Sequence, residues 1–516
     1  MNRKCILAIL LLFGMSAAQA QPLQGYALFD LNNISMAVSK NGALPFPLWS
    51  PDGGFEWPRG SNMHAIYQSG IWLAAKVRDT VRVATNEYLL DFRPGNIIDS
   101  TGRPADANDS TFRVYKIQQY DTTSMDYVQW PLQLGAPRDR SHKPLLLGEQ
   151  TLWCVYNDLD TGGRRNFASQ PLGVEVQQTV FGYRSFSYLF DNLVIVRFLI
   201  INKSKNTLDS MYFAFWSWPT IGTGIDNRVG CDSILSLWYA YHYSDSNAVY
   251  GLHPPAVGYV ILQGPLVLSE GDSAMFIGHR VGGYMNLPMS SFILWQNDAS
   301  MSGIPQTGKE VYYYMTSRWR NGQHITYGGE GTNPNAPPTD FMYSGDPETG
   351  TGWLSTFERH EFGASGPFTM APGDTQEVVM GILVSQGTSN TNSVTKLRNE
   401  TRALHAIYSD SLYKLFSPPP PYVPRREIPE LYHLSQNFPN PFNAGTLIQF
   451  GLPKDEEIFL AVFNILGQRV ATLASGFYEA GTYTVRWEPG SAATGVYIYQ
   501  LEVGRYVRSR RMILLK

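Results

Sequence analysis

Residues 192–202, NLVIVRFLIIN, are apolar on both alternations of an extended chain, and 211–216, MYFAFW, repeat the pattern with aromatics. A strand with one wet face alternates apolar and polar side chains. Runs like these are therefore buried on both faces and belong at the centre of a layered β-structure. Such a strand requires neighbours on both edges. The chain supplies them in TLWCVYND (151–158), VEVQQTVFGY (174–183), YVILQGPLVL (259–268), YYYMTSRW (312–319) and QEVVMGILVS (376–385), separated by Gly, Asn and Asp. GIWLAAKV (70–77) and VRVATNEYLLDF (81–92) read as a hairpin around Arg78-Asp79-Thr80. One stretch has a different period. From Ser393 to Leu415, Val394, Leu397, Leu404, Ile407, Tyr408 and Leu412 form a helical apolar face, which Asn392 or Ser393 can cap. The expected fold class is all-β: a multi-domain β-sandwich body with one short helix, followed by a C-terminal β-sandwich. Aromatics at 13%, with 47 Gly and 33 Pro against only 16% charged residues, fit an extracellular β-protein.

Residues 1–20 have the form of a secretory signal peptide. Arg3-Lys4 precede an apolar run from Cys5 to Met15, too short to span a bilayer, and Ala18-Gln19-Ala20 makes the cleavage site. The body is expected to run over 21–415, with a further break near 140–150. Ser417-Pro418-Pro419-Pro420-Pro421, Pro424 and Pro429 make 416–430 a stiff spacer. A net charge of −3 and no basic, aromatic-interleaved patch argue against nucleic acid as a partner. After cleavage Cys154 and Cys231 remain, an even pair that permits one disulfide; two buried thiols are the other reading.

The last stretch, 431–516, opens with LSQNFPNPFN (434–443), rich in turn formers, and continues in period-2 strands. In GVYIYQLEV (495–503), Tyr497, Tyr499, Leu501 and Val503 share one face; in TYTVRWE (482–488), Tyr483, Val485 and Trp487 do. In order along it stand Pro439-Asn440-Pro441-Phe442, then Phe463-Asn464-Ile465-Leu466-Gly467-Gln468-Arg469-Val470, Gly481-Thr482-Tyr483, Gly495-Val496-Tyr497, and Arg511-Met512-Ile513-Leu514-Leu515-Lys516. This segment resembles the C-terminal sorting domain (type A, Ig-like) of the type IX secretion system. The resemblance implies an outer-membrane-surface or secreted location. It implies as partners the type IX machinery and its sortase-like peptidase, with attachment to surface lipopolysaccharide. The body is similar to a large uncharacterised family found ahead of such domains, through GIWLAAKV, PLGVEVQQTVFGY, VGCDSILSLWYAY, RWRNGQHITYGGEG and SGPFTMAPGDTQEVVMGILV.

Candidate chemistry is sparse. Asn157-Asp158-Leu159-Asp160-Thr161-Gly162 resembles the start of a calcium loop, since alternating oxygen ligands before a glycine can wrap a hard cation. The similar family carries a second acidic loop; here Trp218 and Thr220 stand where its aspartates are usual, leaving Asp226 and Asp232. Asx-turn capping is the competing account. Calcium is therefore the one cofactor left open. His360-Glu361 has Ala364 where a zinc motif needs histidine, and Gly328-Gly329-Glu330-Gly331 lacks the lysine of a phosphate loop. Trp49, Trp57, Trp218, Trp238, Trp319 and Trp353 could stack on sugars or plug a core. The sequence supports a surface-displayed structural or adhesive protein without evident catalysis; the rival is an extracellular glycan-binding protein or hydrolase.

Overall fold

The computed structural model describes residues 25–416, 429 and 431–515, apart from 46–52, 88–90, 140, 160–164, 185–186, 223–225, 297, 357–359 and 444; the expected signal peptide and most of the spacer lie outside them. The chain forms two compact units, Met1–Pro418 and Pro419–Lys516, which divide inside the expected spacer.

The body is built on two antiparallel sheets. The first runs Tyr26–Phe29, Ser35–Ser39, Phe55–Glu56, His64–Val77, Leu208–Pro219, His360–Met370, Ser291–Trp295, with Thr80–Thr85 also paired to His64–Val77. The second runs Asn227–Asp232, Leu237–His242, Ala256–Gln263, Thr375–Ser385, Leu193–Asn202, Val174–Gly182, Gln150–Asn157, Arg93–Pro94, with Tyr115–Gln118 also paired to Gln150–Asn157. Both sheets cross the stretch 140–150 where a further break was expected. His64–Val77 pairs with Leu208–Pro219, and Tyr115–Gln118 with Gln150–Asn157, so both sheets join strands from either side of it.

The doubly apolar runs sit where their pattern requires. Leu193–Asn202 lies between Val174–Gly182 and Thr375–Ser385. Its Val194, Val196, Phe198 and Ile200 enter the inter-sheet core, where Phe198 meets Phe213 at 5.6 Å. Its Leu193 and Ile195 face the other way, into a cluster with Leu397, Leu404 and Tyr408 of the helix Asn390–Asp410. In Leu208–Pro219, Phe215 packs on Tyr259 of the second sheet at 5.8 Å, while Trp216 stacks on Trp72 at 6.5 Å. Trp72 in turn meets Trp295, and Trp295 meets Tyr314 on the helix Gly308–Met315. The His64–Val77/Thr80–Thr85 hairpin turns on Arg78 and Asp79, both at positive φ (49° and 66°), as a two-residue primed turn demands.

Two expectations need correction, and one pair of open readings is decided. The helix is not short: Asn390–Asp410 has 21 residues and is capped by Ser389, whose hydroxyl accepts Asn392 N–H at 3.0 Å, ahead of the anticipated caps. It is not the only one, because Tyr312–Met315, expected as strand, belongs to the helix Gly308–Met315. There Thr307 caps Glu310 N–H at 3.2 Å and Glu310 returns to Gln306 N–H at 2.7 Å. Of the two readings of the cysteine pair, the second holds: Cys154 and Cys231 are free and buried. They stand on strands six steps apart in the second sheet, roughly 29 Å at about 4.8 Å per step. No disulfide spans that distance.

The C-terminal unit is a two-sheet antiparallel sandwich. One sheet orders His433–Leu434, Thr446–Leu452, Gly481–Trp487; the other orders Arg469–Tyr478, Glu456–Asn464, Gly495–Val503, Tyr506–Leu514. Ile448, Phe450 and Leu452 of the first face Leu460, Val462, Tyr499, Leu501 and Met512 of the second. The alternation in Gly495–Val503 holds: Tyr497, Tyr499, Leu501 and Val503 are buried, while Val496, Ile498 and Glu502 are exposed.

Candidate functional site

Apart from Gly481-Thr482-Tyr483, which open the strand Gly481–Trp487, the residues that carry the sorting resemblance fall into two groups in the folded unit. The first group ties the two ends of the unit together. Asn440 Oδ1 accepts Ile513 N–H at 2.9 Å, Phe442 N–H donates to Ile513 O at 3.0 Å, and Leu515 N–H donates to Phe442 O at 2.8 Å. Gln436 Nε2 adds a bond to Arg511 O at 2.8 Å. The Phe442 ring is buried against Trp487 at 5.5 Å, and Trp487 against Tyr497 at 5.3 Å. Gly495 pairs with Leu514. Pro439 O accepts Thr446 Oγ1 at 2.8 Å, and Pro441 lies between the two anchoring residues. The opening and closing motifs are thus one structural clasp. Lys516 lies outside the described residues.

The second group is the tip of the Glu456–Asn464/Arg469–Tyr478 hairpin. Asn464 Oδ1 accepts the N–H groups of Leu466 and Gln468, each at 3.0 Å, and its amide donates to Gln468 Oε1 at 2.8 Å. Gly467, at φ 77°, closes the turn in a conformation a side chain resists. This fixed scaffold presents Ile465 and Leu466 to solvent at 74% and 77% exposure. Nothing inside the sandwich needs those two apolar side chains.

The acidic candidates are not brought together. Asp158 follows the strand Gln150–Asn157 and Asp232 ends Asn227–Asp232, at opposite sides of the second sheet. The Asp158 carboxylate is fully buried and accepts the N–H groups of Leu172, Gly173 and Val174 at 2.6, 2.8 and 2.8 Å. Burial pushes its pKa up, against the lowering pull of Arg165 and those donors. The Arg165 guanidinium donates to Asp158 O at 2.6 Å, Ser169 O at 2.9 Å and Val83 O at 3.1 Å, with Asp158 Oδ2 at 3.4 Å. Three backbone carbonyls and the Asp158 carboxylate thus each meet a nitrogen of one guanidinium. Asp232 accepts Leu235 N–H at 3.3 Å and lies 3.6 Å from Arg398 Nε. Asp226 accepts Tyr243 N–H through its backbone carbonyl at 2.9 Å. Asp160 is outside the described residues, among which no group of three or more His, Cys, Asp or Glu side chains is disposed to hold a metal ion. Burial also pushes both thiols far up, which removes them from nucleophilic use.

Of the tryptophans, Trp57, Trp238, Trp319 and Trp353 are buried, and Trp218 is half-buried against Tyr67 at 4.8 Å; Trp49 is outside the described residues. The four buried ones are core plugs. The exposed ring that sequence reasoning passed over is Tyr327, beside a cleft of about 400 Å³ lined by Tyr327, Gly328, Gly329, Glu330, Thr332 and Asn333. The glycine run was its available signal.

No protein-family model and no curated protein matches the chain. Among solved structures, a polysaccharide lyase aligns over 96% of this chain and 47% of its own, at 6% identity and a TM-score of 0.25. Dimeric latent PorU from Porphyromonas gingivalis aligns over 74% and 32%, at 10% identity and a TM-score of 0.15. The chain spans under half the length of either, and neither TM-score amounts to a shared fold.

Proposed function

We propose that this chain is an exported protein displayed on the bacterial outer surface, with its C-terminal unit acting as a type IX sorting domain and its body as a structural or adhesive module. The observation that carries the reading is the exposed Ile465–Leu466 pair on a tip locked by Asn464 and Gly467. Apolar side chains held rigidly in water contribute nothing to the sandwich and suit recognition by another protein. The motif order along 439–515 supports the type IX machinery as that protein. A sortase-like peptidase would then cut within or near the proline-rich spacer, releasing the body for attachment to lipopolysaccharide. No helix among the described residues is long and apolar enough to cross a membrane.

The test is to express the full chain in a bacterium with a type IX system and determine both termini of the surface form by mass spectrometry. The reading expects an N-terminus at Gln21, or its cyclised form, and a C-terminus before the sandwich that begins at His433. A chain found only in the periplasm, or displayed equally well when the secretion system is disabled, would refute it.

A further inference from the structure

The cleft beside Tyr327 is built, and its parts are those of a sugar subsite. Two indoles inside the body hold its backbone in place: Trp319 Nε1 donates to Gly331 O at 2.7 Å, and Trp353 Nε1 to Gly329 O at 3.0 Å. The Tyr327 ring rests against Trp353 at 5.4 Å, and Trp353 against Tyr343 at 4.9 Å, so the exposed ring stands on an aromatic column reaching into the core. Gly328 and Gly329 adopt positive φ (94° and 56°), and a Cβ at either would meet nothing within 4 Å. That backbone leaves an open floor with no side chain over it. Glu330, Thr332 and Asn333 are exposed on the rim. Asn333 Oδ1 accepts Asn335 N–H at 3.0 Å, so its amide nitrogen is the side chain's donor.

We propose that this cleft binds one pyranose ring, with the apolar sugar face on Tyr327 and the hydroxyls on Glu330, Thr332 and Asn333. An aromatic ring offers a flat apolar surface matched to axial C–H groups, while a carboxylate, a hydroxyl and an amide supply both acceptors and donors for a polyol edge. The lining contains a carboxylate and no basic side chain, so neutral or N-acetylated sugars are taken and uronic acids are repelled. The cleft is shallow, and a single ring binds on the order of millimolar. This ligand is independent of the export route.

The experiment is saturation-transfer NMR on the full mature chain with methyl β-glucoside, methyl β-galactoside, methyl N-acetyl-β-glucosaminide and methyl β-glucuronide. At least one of the three uncharged probes is expected to receive saturation, strongest at the ring protons of one face, and the glucuronide less than that probe. Tyr327→Ala should weaken the signal at least tenfold while the body still unfolds in one cooperative transition, Tyr327→Phe should keep it, and Glu330→Gln should raise the glucuronide response. Silence from all three uncharged probes, a signal undiminished in Tyr327→Ala, or a preference for the glucuronide overturns the assignment.

Discussion

The side-chain carbonyl of Asn440 accepts the backbone N–H of Ile513 at 2.9 Å, across 73 residues of sequence. With the two Phe442 bonds it makes the terminal strand Tyr506–Leu514 part of the structure that opens the C-terminal unit. The exposed side chains Arg508 and Arg511 guard what is otherwise an edge strand.

Deleting Arg511–Lys516 should therefore unfold the C-terminal unit and leave the body intact. The deletion removes Met512 and Leu514, both fully buried, along with Phe442's partners. Each such side chain is worth about 1.5–3 kcal/mol of burial, and their sum approaches the whole stability of a small domain. Calorimetry should lose one transition and keep the other. Asn440→Ala should cost only about 1 kcal/mol. Two unchanged transitions in the truncated chain would show that the clasp contributes nothing.

At the hairpin tip, the fold and the proposed recognition rest on two adjacent residues. Leu466→Ser should change stability by less than about 0.5 kcal/mol, because that side chain is exposed. Gly467→Ala should cost about 1 kcal/mol or more, since φ 77° strains any side chain. Only Leu466→Ser should abolish surface display while leaving the melting curve alone. Normal display of that variant would exclude the tip as the recognised feature.

The layering was legible wherever one strand carried its own burial pattern, as in 192–202 and 211–216. The Tyr312–Met315 misreading has a local cause: three aromatics and a methionine read as strand, while Thr307 and Glu310, four residues inside a polar stretch, carried the helix start. The acidic loop showed its carboxylates in sequence but not Arg165, seven positions beyond Asp158, whose guanidinium bonds that residue's carbonyl and two others. The cysteine separation was illegible because it depends on strand order, which local pattern does not encode. Tyr327 was hidden for the opposite reason, since one exposed ring among many aromatics has no signature until the chain is folded.

Glu87 should make the body less stable as pH rises. Burial pushes its carboxyl from the ordinary 4.5 up to about 8. Between those values the folded state keeps a proton that the unfolded state releases, so the stability contribution falls with rising pH by up to about 1.4 kcal/mol per unit, then levels off. Glu87→Gln mimics the protonated form and should gain on the wild type steadily from pH 5 to pH 8. Parallel stability curves for the two proteins would rule the effect out.

Arg165 should be more important to the body than any added divalent ion. Its guanidinium satisfies Asp158 O, Ser169 O and Val83 O and lies 3.4 Å from a carboxylate with no exposed surface. Removing the cation from such a site leaves a buried acid facing three carbonyls, and breaking a buried pair typically costs about 3–5 kcal/mol. Arg165→Ala should lower the melting temperature of the body transition by several degrees. Arg165→Lys should recover only part of the loss, because an ammonium cannot reach three divergent carbonyls as a planar fork does. A strong chelator should leave the wild-type melting temperature where it was, whereas a protein stabilised by bound calcium loses that contribution on chelation. A large chelator-induced drop in the wild type, or full stability in Arg165→Ala, would return the acidic loop to the calcium reading.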